Sequence, residues 1–177
     1  MDINKAIEKL KERDEEAFEY IYNETKEAVY AMILSIIRDR SLAEDVMQDT
    51  YMKAIQSIYQ FKEGNSFKNW ILTIAKNQAI DYYRKRKREL LIDASESEFM
   101  LPHEAPRTSL QLEMDELLDI LTVEERQIVT LKIVDDMKHK DIAKLLDKKI
   151  GTVMWLYNQA MKKMQKKGEV NNEKTGN

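Results

Sequence analysis

Both prolines of this chain, Pro102 and Pro106, fall in one stretch, Leu91 to Arg107, and the rest of its 177 residues contain none. Proline is the residue that a helix interior tolerates least, so long helices are permitted on either side of that stretch. The chain also holds only 4 glycines and is rich in Glu, Lys, Leu and Ala, a balance that favours helices over strands. The fold class predicted is all-α, two small helical domains joined by a flexible linker. Leu91–Arg107 also carries Asp93, Glu96, Glu98 and Glu104 with little apolar periodicity, which reads as an acidic linker. The organisation expected is a domain over residues 1–90, the linker over 91–107, a second domain over 108–167, and a polar, disordered tail over 168–177.

Apolar spacing and capping signals place the helices. Ile3 to Arg13 forms a short amphipathic helix on Ile3, Ile7 and Leu10. Asp14 caps a longer one from Glu15 to Ile37. Ser41 with Glu44 has the capping-box form and opens a helix to about Ile58. Ser66 caps a third long helix, from Phe67 to about Glu89, ending in the basic run Arg84–Arg88. That run exceeds what the helix dipole requires. In the second half, Thr108 with Gln111 and Thr122 with Glu125 open helices over Ser109–Leu121 and Val123–Val134. Helices over Lys138–Leu146 and Thr152–Lys166 complete the unit.

Several classes of protein are disfavoured. The chain has no cysteine, so disulfides and thiolate zinc sites are excluded. Its N-terminus lacks the apolar stretch of a signal peptide. The longest apolar run, Ala31–Leu34 followed by Ile36–Ile37, is far short of the roughly 20 residues that span a bilayer. A cytoplasmic location without direct membrane insertion is expected. The net charge of −3 argues against tight duplex binding by the whole chain alone, because phosphate contacts dominate such affinity. It permits binding through local basic patches beside a larger partner.

Two segments carry functional patterns. Residues 138–166 have helix-turn-helix spacing, with Ala143 as the small residue at the crossing and Ile142, Leu146, Val153 and Leu156 as inward apolar positions. Asp147 stands where such motifs often place glycine, and Asp tolerates the left-handed conformation better than most residues. A plain helical hairpin is the competing reading. From Phe61 to Arg88, aromatic, amide and basic residues alternate. Aromatic faces stack on unpaired bases while cations follow phosphates, so this stretch suits single-stranded DNA. Against that, Trp70, Ile71, Ile74 and Ile80 are equally explained as core.

The sequence Ala43-Glu44-Asp45-Val46-Met47-Gln48-Asp49-Thr50-Tyr51, then Ser66–Ile71, then Ile74–Asn77 with Ala79–Arg84, resembles region 2 of the extracytoplasmic-function sigma factors of the sigma-70 family. Leu121–Arg126, Asp141-Ile142-Ala143 and Gly151-Thr152-Val153 resemble their region 4. The match runs in order from about Ala17 to Met164. The resemblance implies a sigma factor that directs core RNA polymerase to promoter DNA and assists melting, with an anti-sigma factor as a further partner and no cofactor or metal. It implies core-polymerase contacts at Asp45, Gln48, Asp49 and Met52. It implies −10 contacts at Phe61, Gly64, Asn65, Ser66, Lys68, Trp70, Asn77, Tyr82 and Arg84. The −35 contacts implied are Lys149, Thr152, Met154, Trp155, Asn158 and Lys162.

One segment departs from the family. After Gly-Thr-Val the family usually continues Lys-Ser-Arg-Leu, whereas here Met154 and Trp155 precede Leu156, and cations return only at Lys162 and Lys163. Three readings of Met154 and Trp155 are open: contact with thymine methyl groups, an apolar surface for an anti-sigma factor or the polymerase flap, or a rotated helix with Trp155 in the core. For the whole chain, the alternative is a helix-turn-helix regulator acting without polymerase, disfavoured by the low net charge. An enzyme is not expected. His103 and His139 read as solvent-facing, and Asp45 with Asp49 reads as an exposed acidic face rather than a cation site.

Overall fold

Helix α1 (Ile3–Lys11) opens the chain because Asp2 accepts the N–H groups of Asn4 and Lys5. It turns back onto α2 (Glu15–Ile37), which Asp14 caps by accepting the Ala17 N–H at 2.8 Å. That bond, with Lys9 nearby, holds the Asp14 carboxyl below its usual range. The computed structural model describes the backbone of residues 1–93 and 109–175, and the side chains of 1–89 and 114–169. The chain divides into two compact units, Met1–Met100 and Leu101–Asn177. Among the described residues every regular element is helical.

In the first unit, α2 packs against α1, α3 (Arg40–Ser57) and α4 (Phe67–Asp93). Ile21, Val29, Met32, Ile33, Val46, Ile58, Ile71 and Leu72 form the core. Buried hydroxyls are satisfied by bonding back along their own helices: Thr25 to the Ile21 carbonyl and Thr50 to that of Val46, both at 2.7 Å. The cap of α3 is Asp39, whose carboxylate accepts the Leu42 N–H at 3.0 Å, and not Ser41 as the capping-box pattern predicts. Arg38 takes a left-handed conformation and Asp39 an extended one, so the reversal is complete before Ser41, which lies inside the first turn. Ser66 caps α4 as expected, its Oγ accepting the Asn69 N–H. Helix α4 runs on to Asp93, so the first residues assigned to the linker are helical. The remainder of the predicted linker, residues 94–107, lies outside the described residues, as do the Thr108 cap and His103.

The second unit packs α6 (Val123–Asp135), α7 (His139–Leu145) and α8 (Ile150–Thr175) around Ile128, Leu131, Ile142 and Val153, with α5 (Ser109–Asp119) against α8. The predicted capping box is present: Thr122 Oγ1 accepts the Glu125 N–H, and Glu125 accepts the Thr122 N–H at 2.9 Å. Beside it, buried Arg126 donates to the carbonyls of Leu118 and Leu121 at 3.0 Å each, which ties the end of α5 to α6. Helix α8 continues through Gly168 to Thr175, where a disordered tail was expected. One glycine costs a helix only about 1 kcal/mol, and the flanking Gln165 donates to Glu169 at 3.2 Å.

Glu125 also receives Lys163 from α8, at 2.7 and 2.8 Å. Burial pushes its carboxyl up, but Lys163 and the Thr122 N–H outweigh burial and hold it below its ordinary value of 4.5. A lowered folded-state value means that this stabilisation is present above pH 4.5 and is lost as pH falls through the folded value. Glu125→Gln keeps the capping geometry and removes the charge. It is expected to destabilise the second unit by about 1 kcal/mol at pH 7, a figure discounted for the partial exposure of Lys163. Thermal melts of both proteins from pH 7 to pH 3 should converge at the acidic end.

Candidate nucleic-acid interface

The first unit presents two distinct surfaces. On α3, positions 43, 46, 50 and 54 are buried, which turns the opposite face outward by helical geometry. Asp45, Gln48, Asp49 and Met52 all lie on that exposed face, at spacings of three and four residues. Beside it, a groove between α2 and α3 is lined by Phe18, Tyr22, Tyr30, Met47 and Gln48. Its floor is an aromatic cluster in which the Tyr22 and Tyr51 rings lie 5.0 Å apart and Phe18 meets Tyr51 edge-on at 6.1 Å. Burial pushes the Tyr51 hydroxyl up to about 12, and it shares a 2.8 Å hydrogen bond with Thr25. The sequence reading does not anticipate this groove. The available signal was Tyr51, one helical turn beyond Gln48.

The second surface is the 61–66 loop and the exposed side of α4. Here one prediction is corrected. Phe61 is buried to 7% exposure, with its ring 5.4 Å from Phe67 and 5.5 Å from Trp70. It anchors the loop from below and has no open face for a base. Trp70, half-buried in the same cluster, presents only part of its ring. Gly64 has φ +85° with open space around it, a conformation that L side chains rarely adopt. The Asn65 N–H closes the turn on the Lys62 carbonyl at 3.3 Å. Gly64, Asn65 and Ser66 are therefore displayed at the loop tip, with half-exposed Lys68 one turn on. Along α4, Asn77 and Arg84 are exposed and Tyr82 is half-buried. Tyr83, not among the predicted contacts, is the more open ring at 50% exposure. It lies seven residues, about two turns, beyond Lys76, a spacing that could have singled it out.

In the second unit, α7 and α8 form the predicted helix-turn-helix. Asp147 is left-handed, φ 52°. The Lys148 N–H bonds the Ala143 carbonyl at 2.8 Å, and the Asp147 N–H bonds that of Lys144 at 3.3 Å. This pair of bonds is the helix-ending motif usually built on glycine. Ala143, Val153, Leu156 and Ala160 are buried. His139, expected in solvent, is half-buried against Tyr157, ring centres 5.1 Å apart. Lys149, immediately before α8, and Thr152, Met154, Trp155, Asn158 and Lys162 on it are all exposed. Trp155 is 60% exposed, which removes the rotated-helix reading. Among the described residues no three His, Asp or Glu side chains gather as a metal site, and no helix is long and apolar enough to cross a membrane.

Comparison with known proteins places these surfaces in context. Residues 21–89 match the family model for sigma-70 region 2, and residues 111–164 match that for sigma-70 region 4. The chain is 28% identical over 168 residues to the ECF RNA polymerase sigma factor SigW of Bacillus subtilis, covering 86% of this chain and 89% of that protein. It is 25% identical to SigX of the same organism, covering 88% and 86%. Among solved structures, it is similar to the sigma factor RpoE of Bartonella quintana, crystallised with the anti-sigma factor NepR. The TM-score is 0.71 at 27% identity, covering 84% of this chain and 94% of that one. CnrH, solved with the cytosolic domain of CnrY, shares the fold, with a TM-score of 0.70 at 18% identity.

Proposed function

This chain belongs to the extracytoplasmic-function group of the sigma-70 family, and from that premise we propose how its exposed surfaces divide the work of an RNA polymerase sigma factor. It directs core polymerase to specific promoters and assists DNA melting at initiation. The observation that carries the reading is the order of the two sigma-70 regions along one chain.

The acidic α3 face, with Asp45, Gln48, Asp49 and Met52, docks on core polymerase. The loop tip at Gly64, Asn65 and Ser66, with Lys68, takes an extruded base of the −10 element. Extrusion costs a few kcal/mol, so a pocket that accepts only the unpaired base couples recognition to opening. Trp70, Asn77, Tyr82 and Arg84 border the opened strand, where exposed aromatics stack and cations follow phosphates. The outward face of α8, with Lys149, Thr152, Asn158 and Lys162, enters the major groove of the −35 element. An anti-sigma factor is the regulatory partner.

The test is run-off transcription with purified core polymerase on a promoter library. Productive initiation from a restricted promoter set is expected, and silence with core polymerase would defeat the reading. Within it, Asn65→Ala with Lys68→Ala should cut permanganate-detected melting about tenfold, at about 1–3 kcal/mol per base contact. Closed-complex formation should change far less. Equal loss of both steps would assign these residues to general docking.

A further inference from the structure

The outward face of α8 combines two properties that are rarely adjacent. From Lys148 to Gly168 the chain carries six lysines, at 148, 149, 162, 163, 166 and 167, and no carboxylate, in a protein of net charge −3. Lys148 and Lys163 are engaged by Glu124 and Glu125. Lys149 and Lys162, at the two ends of the exposed stripe, meet no carboxylate among the described residues. Between them stand Met154, 46% exposed, and Trp155, 60% exposed. Three residues to either side of Trp155 lie the exposed Thr152 and Asn158. Ile150, at 50% exposure, and Met161, at 38%, lengthen this apolar stretch along the helix, and Lys149, Thr152, Asn158 and Lys162 border it. Its surroundings match the phosphate-rich rim and base edges of a DNA groove.

The chemistry of the two side chains narrows the partner further. An indole offers an apolar face and one N–H donor and has no acceptor. In the major groove thymine alone places a methyl group beside an acceptor, O4. Guanine offers acceptors without a methyl, adenine sets its N7 acceptor beside an amino donor and also lacks a methyl, and cytosine presents an amino donor. Resting on the sigma-factor reading above, we propose that Trp155, supported by Met154, is a specificity-determining reader of thymine in the −35 element. Its ring lies against the C5-methyl and its Nε1–H donates to O4. Lys149 and Lys162 hold the flanking phosphates.

The experiment uses the full chain with core polymerase on promoter duplexes in which each −35 thymine is replaced singly by deoxyuridine. That exchange removes the methyl and nothing else. One position is expected at which uracil weakens promoter binding about fourfold, the value of one buried methyl. Trp155→Ala should lose its preference for thymine over the other bases there, an effect of roughly 5- to 150-fold, and should become indifferent to uracil. Since Trp155 is exposed, the melting temperature of the variant should match the parent. If uracil at every position is silent with the parent chain, or weakens parent and variant equally, the proposal is overturned. Unchanged base preference with weaker holoenzyme assembly would overturn it in favour of a protein contact. Failure of the sigma-factor reading is distinguishable, because the parent chain would then show no −35 preference with core polymerase at all.

Discussion

Charge reversal at Asp45 and Asp49 is expected to weaken association with core polymerase by about 100-fold or more. Placing a like charge against a complementary surface costs several kcal/mol, and each 1.4 kcal/mol is tenfold. Both carboxylates are exposed on α3, and the residues that hold that helix in place, Ala43, Val46, Thr50 and Ala54, are on its other side. Surface changes of this kind alter stability by about 0.5 kcal/mol or less, so far-UV circular dichroism and melting temperature should match the parent. The readout is co-purification with core polymerase, followed by titration at two salt concentrations. The loss should be greater at low salt, where complementary charges contribute most. Unaltered association would move the main contact off this face, and the neighbouring groove between α2 and α3 would be the next surface to vary.

Phe61→Ala should destabilise the first unit by about 3–5 kcal/mol, the usual cost of emptying a buried aromatic site. The reason is its place between Phe67 and Trp70 rather than any contact with DNA. Urea denaturation followed by Trp fluorescence would measure the effect. Phe61→Leu refills much of the volume and should recover most of the stability, and with it most of the promoter opening. A stacking role predicts otherwise, since leucine would restore stability without restoring melting. The pair of variants therefore separates a residue that shapes the −10 loop from one that touches the base.

Where the sequence could be read, the determinants were local. Thr122 and Glu125 satisfy each other within one helical turn, so nothing distant was needed to place the start of α6. Asp147 adopts the left-handed conformation its residue type tolerates, and the inward Val153 and Leu156 follow from spacing alone. The misreadings have other physical sources. Asp39 and Ser41 are both good caps, and the left-handed Arg38 decides between them. Phe61 lies at a loop boundary where no periodicity tells a ring facing the core from one facing solvent, and its burial depends on α4. The polarity of residues 168–177 suggested a disordered tail, but a polar stretch can also continue a helix, as α8 does to Thr175. The groove beside Gln48 exists only where two helices meet.

Helix α8 is held in place by one side only. Val153, Leu156 and Ala160 fill the interior, and Lys163 clasps Glu125. Lys149, Thr152, Met154, Trp155, Asn158 and Lys162 are exposed and add little to that attachment. Lettering on this face can therefore be rewritten while the mount stays fixed. Each outward substitution alters stability by about 0.5 kcal/mol or less, so under the proposed −35 role base preference would change without a poorly folding intermediate. Under the roles proposed for the two helices, the same separation would make α8 a cassette for engineering: a grafted outward stripe should bring its own base preference and leave assembly with polymerase to α3.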